Sequence, residues 1–222
     1  MLKIIPLLLI LGSLIGCSSY GYDPKTMARL SQVTIFSSYL KHHTKGRGTI
    51  VQEDGERAFI LTAKHVVNLY PDLVKIKVVG LSGREYVGRI DTLYKCSDMA
   101  LISIPTHFTG YLNIQDPRFG EGVFAFDYAP NTPFDNAFIG NEINIGRVTE
   151  EANKRGGLWE DPMLGALANY TSHEGMSGEG VFDPVGNLVG IHSSKNGAGE
   201  AVFVPIHAAL EKEWSSEGKP CF

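Results

Sequence analysis

The decisive stretch of this sequence is Glu174-Gly175-Met176-Ser177-Gly178-Glu179-Gly180, a loop in which glycines surround one serine. Such a loop alone is most often only a turn. Two earlier stretches change its meaning: Leu61-Thr62-Ala63-Lys64-His65 ends an apolar run on a histidine, and Ser97-Asp98-Met99-Ala100-Leu101 sets an aspartate just before another run. A lone histidine there would be a core residue and a lone aspartate a turn residue. Together the three stretches contain the residue types that nucleophilic acyl transfer needs: a base, a carboxylate and a hydroxyl nucleophile.

The rest of the chain consists of short apolar runs separated by turn residues, which is typical of an all-β fold. The 25 glycines fit the many tight turns that such a fold needs. Asp54-Gly55 is a hairpin signal between two of these runs. Regularly spaced strands of this kind predict β-barrels or a sandwich. The predicted strands are residues 48–51, 58–62, 74–79, 100–104, 122–126, 180–182, 188–191 and 201–204.

Helices are predicted at only two places. Apolar residues recur every four positions between Ile206 and Glu217, which gives a helix with one apolar stripe. The segment from Asp23 to Leu40 is predicted to begin with a helix, because Pro24 suits a first helical turn. A change of composition near residues 105–120, which are rich in proline, glycine and asparagine, predicts a linker between two β units.

The composition is that of an ordinary globular protein, with 43% hydrophobic and 20% charged residues among 222. Disorder is therefore not expected. The formal net charge is −4 and no long basic run occurs, so nucleic acid is not an expected partner. His42-His43 and His173 lack the carboxylate or cysteine spacing of a metal site, and we expect no metal and no organic cofactor.

The first segment is predicted to be a secretory signal peptide, because Lys3 is followed by a short apolar run from Ile4 to Ile15. That run is too short to span a bilayer comfortably. Leu14-Ile15-Gly16-Cys17 resembles the lipobox of bacterial lipoproteins, in which cleavage precedes a cysteine that carries lipid. The alternative is a plain signal peptide with a chance cysteine.

The lipobox interpretation divides the start of the chain into a signal peptide at residues 1–16 and a lipid-anchored tether at residues 17–24. Several acyl chains on Cys17 would give stable membrane anchoring where a single chain would not. We therefore expect the protein in the cell envelope. Ser18 resembles the residue that follows the lipid cysteine in lipoproteins sent to the outer membrane, which implies its periplasmic face if the source is Gram-negative.

Three motifs resemble those of trypsin-like serine proteases of the chymotrypsin fold. Residues 62–66, T-A-K-H-V, are similar to the family's T-A-x-H motif, and residues 97–102, S-D-M-A-L-I, to its D-x-A-L strand. Residues 175–178, G-M-S-G, are similar to its G-x-S-G loop. The chain order His, Asp, Ser is also that of this family. Residues 46–50 resemble the strand before the histidine hairpin, so the resemblance runs from about Gly46 to the end of the chain.

The resemblance implies two antiparallel six-stranded β-barrels with a C-terminal helix. The N-terminal barrel would comprise residues 25–112 and carry His65 and Asp98, and the C-terminal barrel would comprise residues 113–222 and carry Ser177. The resemblance further implies a serine endopeptidase that cleaves protein or peptide substrates through an acyl-enzyme.

The same resemblance assigns catalytic roles. His65 would take the proton of the Ser177 hydroxyl, and Asp98 would hold the orientation of the imidazole. The backbone N–H groups of Gly175 and Ser177 would form the oxyanion hole.

The nucleophile loop departs from the common G-D-S-G-G form of the family. Met176 replaces the acidic residue that zymogen-derived trypsins pair with a new N-terminus, and Glu179 replaces the second glycine. Several bacterial relatives also lack that second glycine. Two other functions stay open on the sequence: a catalytically silent binding protein of the envelope, and an esterase that uses the same triad.

The strand after the nucleophile is predicted to line the pocket for the substrate residue that precedes the scissile bond. His192, in a glycine–apolar–histidine sequence, resembles a residue of glutamyl endopeptidases that contacts the substrate carboxylate. Ser172 and Lys195 would add a hydroxyl and a positive charge. The resemblance thus implies cleavage after Glu, with Gln second. The alternative is that His192 fills the strand and that the pocket accepts small apolar residues.

Cys96 and Cys221 are the cysteines that lie outside the signal region. Two free thiols and a disulfide are both compatible with an exported protein. In the family the terminal helix packs back across the first barrel, so the resemblance makes a bond between Cys96 and Cys221 geometrically feasible.

Overall fold

The computed structural model describes residues 23–67, 74–108, 112–126, 143–149 and 165–215. No helix within these ranges is both long and apolar enough to cross a membrane. In chain order the elements are α1 (Pro24–Leu30), β1 (Gln32–Tyr39), β2 (His42–Glu53), β3 (Ala58–Thr62), α2 (Lys64–Val67), β4 (Lys75–Val79), β5 (Glu85–Leu93), β6 (Ala100–Ile104), β7 (Gly122–Phe126), β8 (Ile143–Arg147), β9 (Ala166–Thr171), β10 (Gly180–Phe182), β11 (Leu188–Lys195), β12 (Glu200–Pro205) and α3 (Ile206–Ser215).

The first six strands form a closed antiparallel barrel in the order β1-β2-β3-β6-β5-β4. Their inward side chains are small and branched apolar residues, which fill the interior of a narrow barrel. The barrel core consists mainly of Val33, Ile35, Ile50, Ile60, Ile76, Val78, Ile102 and Ile104. This barrel carries α2, with His65, at the end of β3.

The last six strands form a second antiparallel sheet in the order β8-β7-β10-β11-β12-β9. Its two edge strands approach each other, because Val148 just after β8 forms an antiparallel bridge with Ala168 in β9. The sheet is therefore nearly closed, and the predicted fold class of two six-stranded β-barrels is confirmed. The boundary predicted between residues 112 and 113 lies on the segment that joins β6 to β7.

A separate apolar cluster joins the two barrels. Leu61 and Met99 of the first barrel pack in it together with Phe124 and Phe182 of the second. The rings of Phe124 and Phe182 stack with centroids 5.5 Å apart, a favourable distance for an aromatic pair. Ala28 of α1 belongs to the same cluster, so the N-terminal helix is fixed to the shared core.

Both predicted helices exist. Asp23 caps α1, because its carboxylate accepts hydrogen bonds from the backbone N–H groups of Lys25 and Thr26. A hydrogen bond from the hydroxyl of Thr26, followed by these backbone hydrogen bonds, lowers the pKa of Asp23. At the other end of the chain, α3 begins at Ile206 directly after β12, and the buried Ile206 side chain packs in the cluster between the barrels.

Candidate active site

His65 and Asp98 form a tight pair at the edge of the first barrel. The Nδ1 atom of His65 lies 2.7 Å from Oδ2 of Asp98, and the backbone N–H of His65 donates to Oδ1 at 3.0 Å. The backbone N–H of Lys64 also donates to the carbonyl of Asp98. The Asp98 side chain is 3% exposed and that of His65 is 26% exposed. A buried carboxylate thus orients an imidazole whose other side is accessible.

Ser193 connects this pair to Ser177. Its hydroxyl donates to Oδ2 of Asp98 at 2.6 Å, and its backbone carbonyl accepts a hydrogen bond from Oγ of Ser177 at 3.1 Å. One buried residue of β11 therefore touches both the orienting carboxylate and the predicted nucleophile. Sequence reasoning missed Ser193, although it follows His192 directly on the strand predicted to line the pocket.

The nucleophile loop is attached to strands of both barrels. The carbonyl of Ser177 accepts from the backbone N–H of Arg47 at 2.7 Å, and the N–H of Gly178 donates to the carbonyl of His192 at 2.7 Å. A Cβ atom on Gly46 would lie 2.7 Å from the Ser177 carbonyl oxygen and 2.6 Å from the side chain of Val66, the residue after His65. The structure thus brings the predicted base and nucleophile to the same place.

The backbone of the loop suits an oxyanion hole. Gly175 has a φ angle of 90°, which is the left-handed region that glycine adopts without strain. Within the described residues, the N–H groups of Gly175 and Ser177 donate to no protein atom. Two unoccupied backbone donors beside a nucleophile can bind the oxygen of a tetrahedral intermediate.

His192 lies at the centre of a buried polar chain. Its Nδ1 is 2.7 Å from the hydroxyl of Tyr170, and its Nε2 is 2.9 Å from Oγ of Ser172. Burial, with the nearby charge of His65, lowers the pKa of His192 to about 3, against the opposing effect of Asp98. Burial also raises the pKa of Tyr170 well above its ordinary value, with a smaller contribution from Glu179. The imidazole is therefore neutral, and Tyr170 keeps its proton.

The structure brings His192 and Ser172 together as the sequence predicted, while Lys195 is exposed at the end of β11. Tyr170 was missed because its role depends on the pairing of β9 with β12, which no local pattern reveals. A tyrosine that donates to Nδ1 fixes the proton of a neutral imidazole on Nε2, where it faces Ser172.

Ser172 and His192 are thus a second serine–histidine pair, but their surroundings do not suit general-base catalysis. A base must accept a proton, and burial strongly disfavours the charged form of His192. Its Nδ1 faces a hydroxyl rather than a carboxylate. The carboxylate of Asp98 is held by His65 instead.

Glu179 occupies the place where the family commonly has a second glycine. Its side chain is buried, and Oε1 accepts a hydrogen bond from the backbone N–H of Phe126 at 2.7 Å. Its backbone carbonyl accepts from the N–H of His192, also at 2.7 Å. The carboxylate that stands in place of glycine therefore ties the nucleophile loop to β7, and the backbone of the same residue ties it to β11.

Cys96 is buried and takes part in a disulfide bond. The predicted partner Cys221 and the predicted lipidation site Cys17 both lie outside the described residues. The pairing of Cys96 with Cys221 therefore stays a prediction. Within the described ranges, no three histidine, cysteine, aspartate or glutamate residues are grouped so that they could hold a metal ion.

The family described as "trypsin-like peptidase domain" matches residues 46–191, which include His65, Asp98 and Ser177. A search of curated protein sequences gave no match.

Solved structures show the same fold. The serine endoprotease from Yersinia pestis is 21% identical with a TM-score of 0.65, over 86% of this chain and 64% of that one. The HtrA-type protease AlgW with a tripeptide is 21% identical with a TM-score of 0.67, over 88% of this chain and 64% of that one. The chain thus spans a little less than two thirds of the length of these structures.

Proposed function

Because the chain belongs to the family of trypsin-like peptidases, we propose that it hydrolyses peptide bonds with Ser177 as nucleophile, His65 as general base and Asp98 as the orienting carboxylate. The enzyme class predicted from the sequence, a trypsin-like serine endopeptidase, is confirmed by that membership. The observation that carries the assignment of roles is the contact of 2.7 Å between Nδ1 of His65 and a carboxylate that is almost fully buried.

The chemistry follows from this contact. Asp98 holds the proton of the neutral His65 ring on Nδ1, so that Nε2 carries the lone pair that accepts a proton. Rotation of the Ser177 side chain away from the Ser193 carbonyl would turn its hydroxyl toward that lone pair. The protonated imidazole is stabilised by the adjacent carboxylate and later returns the proton to the leaving amine.

The oxyanion of the tetrahedral intermediate would be bound by the N–H groups of Gly175 and Ser177. Each such donor is typically worth about 3–4 kcal/mol of transition-state stabilisation in a preorganised site. The loop is preorganised because its backbone is hydrogen-bonded to Arg47 in a strand of the first barrel and to His192 in a strand of the second.

For specificity we propose cleavage after Glu or Gln, with His192, Ser172 and Lys195 as the groups that recognise the substrate side chain. A neutral His192 with its proton on Nε2 donates to Ser172, whose own hydroxyl proton is then free to bind a carboxylate or amide oxygen. Lys195 would add the charge that favours Glu. A preference for Ala or Val in a panel of peptides that differ only at this position would contradict the proposal.

We further propose that the enzyme is anchored in the cell envelope through lipid on Cys17. The supporting observation is the lipobox-like sequence that ends at this cysteine. A Cys17→Ser variant should incorporate no labelled palmitate and should leave the membrane fraction. Retention of the variant in that fraction would contradict the proposed anchor.

An activity-based probe tests the catalytic assignment directly. A fluorophosphonate should label the wild type at neutral pH and fail to label Ser177→Ala. Ser172→Ala is the matched control, because it removes the hydroxyl of the other serine–histidine pair. Labelling that survives Ser177→Ala and is lost in Ser172→Ala would reverse the assignment. No labelling of the folded wild type would favour a silent binding protein, and turnover of esters without peptides would favour an esterase.

A further inference from the structure

A large groove of about 1640 Å³ adjoins the nucleophile loop. One part of its wall is His173, Glu174 and Gly175, the residues just before the nucleophile. The rest of its wall comes from β1, β2, β4 and β5, that is, from the outer face of the first barrel. The groove thus includes Gly175 of the predicted oxyanion hole, whereas Ser172 and His192 of the second barrel are not part of its wall.

A ladder of side chains across three strands forms the floor of the groove. Phe36 in β1 is paired with Lys45 in β2 on one side and with Lys77 in β4 on the other. The Nζ atom of Lys45 lies 5.6 Å and that of Lys77 4.9 Å from the centroid of the Phe36 ring. Attraction to the face of the ring therefore places two ammonium groups over one aromatic residue.

The cross-strand neighbours of the next outward-facing residue of β1 are also basic. Ser38 is paired with His43 in β2 and with Lys75 in β4. Residues two apart on a strand face the same side, so Lys75 and Lys77 both point outward on the groove face. Both side chains are exposed, and Lys75 has no ion-pair partner among the described residues.

The acidic residues of the groove wall are fewer than its lysines. Glu85 pairs with Lys77 at 3.0 Å, and Glu174 belongs to the nucleophile loop. The wall thus has three lysines and two glutamates, and the positive charge of the floor is carried by the exposed Lys75, which no carboxylate pairs with among the described residues.

We propose that this groove binds carboxylates on the leaving side of the substrate, within the residues that follow the scissile bond. A peptide whose preceding residue enters the Ser172–His192 pocket must cross Ser177 and continue toward the first barrel, where the groove begins. The inference rests on the proposed function and adds a second selectivity to it. The carboxylate can be an acidic side chain or the C-terminus of a short leaving segment, and both have the same chemistry.

Matched peptides test the proposal. All share one sequence up to the scissile bond and carry either Asp-Asp or Asn-Asn at the second and third positions after it, so that no further Glu or Gln offers a second cleavage site. The set is made with amidated C-termini, and the neutral version is also made with a free C-terminus. We expect the wild type to cleave the acidic peptides with a kcat/KM about two- to tenfold higher at low ionic strength. The preference should shrink at 0.5 M salt.

The double variant Lys75→Gln/Lys77→Gln should lose this preference while its kcat/KM for the neutral amidated peptide stays unchanged. Lys25→Gln is the matched control, since it removes one exposed lysine on α1, which is not part of the groove wall. Equal cleavage of acidic and neutral peptides by the wild type, or a preference that survives in the double variant, overturns the inference. Failure of the proposed function is distinguishable, because the wild type would then cleave none of the peptides.

Discussion

The hydroxyl of Ser193 lies 2.6 Å from Oδ2 of Asp98, the same oxygen that contacts the His65 ring. The carboxylate therefore receives a donor from each barrel: the imidazole from the first, and a serine of β11 from the second. Because a buried carboxylate needs its oxygens satisfied, this contact also fastens the two barrels at the point where the triad is assembled.

Replacing Ser193 with alanine is expected to lower kcat/KM by about 10- to 100-fold, since a hydrogen bond to a charged group is worth roughly 1.5–3 kcal/mol. Ser194→Ala is the matched control, because the buried Ser194 hydroxyl has no partner among the described residues. Steady-state kinetics on one peptide substrate measures both variants. Equal losses in the two would contradict a specific role for Ser193.

Replacing Gly178 with alanine is expected to destabilise the protein by several kcal/mol. The added Cβ would lie 2.1 Å from the Arg47 carbonyl oxygen and 2.3 Å from Oγ1 of Thr62, at a residue whose φ is already 92°. Gly199→Ala separates the steric clash from the strain of a positive φ, because Gly199 has a φ of 86° but no atom lies within 4 Å of the added Cβ. That control should lose only about 1–2 kcal/mol. Urea unfolding compares them, and equal losses would exclude the steric explanation.

Sequence analysis predicted the observed bounds of four strands, and the side chains of these strands are nearly all apolar. β3, β6, β7 and β10 begin and end at the predicted residues. Their burial is nearly continuous, so the local run of apolar residues carried the whole signal. Turns on either side then limited each run.

The strands that sequence analysis missed contain polar residues at many positions, so no run of apolar residues marks them. β5 exposes alternate side chains such as Glu85 and Arg89, and only partly buries the rest. β1 buries Gln32 and Thr34, whose partners are Thr49 and Arg47 in the neighbouring strand. A polar side chain becomes suitable for burial only when a distant residue binds it, and a single sequence window does not contain that residue.

The residues of the candidate site also fall into a group that the sequence predicted and a group that it missed. His65, Asp98 and Ser177 were found because each lies in a short motif with a required residue type. Ser193 and Tyr170 act only on other side chains, across 95 and 22 residues of sequence respectively. Their contacts are set by strand pairing and not by local chemistry, so no short motif marked them, although Ser193 lies on the strand predicted to line the pocket.

Replacing Tyr170 with phenylalanine is expected to weaken recognition in the Ser172–His192 pocket. The change removes the hydroxyl that contacts Nδ1 of His192 among the described residues, so the proton of the imidazole is no longer fixed on Nε2. We expect KM for peptides with Glu or Gln before the scissile bond to rise about tenfold, with little change in kcat. Progress curves on unlabelled peptides measure both KM and kcat. A uniform fall of kcat on all peptides would instead indicate damage to the triad.

His192 should make the stability of the fold depend on pH. Burial, with the nearby charge of His65, lowers its pKa to about 3, whereas an unfolded chain has a histidine pKa of about 6.5. Between these values the unfolded chain binds a proton that the folded chain does not, so the free energy of unfolding falls as the pH drops from about 6.5 toward 3. The slope from this residue approaches about 1.4 kcal/mol per pH unit. Urea unfolding at several pH values should therefore show a flatter dependence for His192→Gln than for the wild type, and parallel curves would show that His192 is not held neutral by the fold.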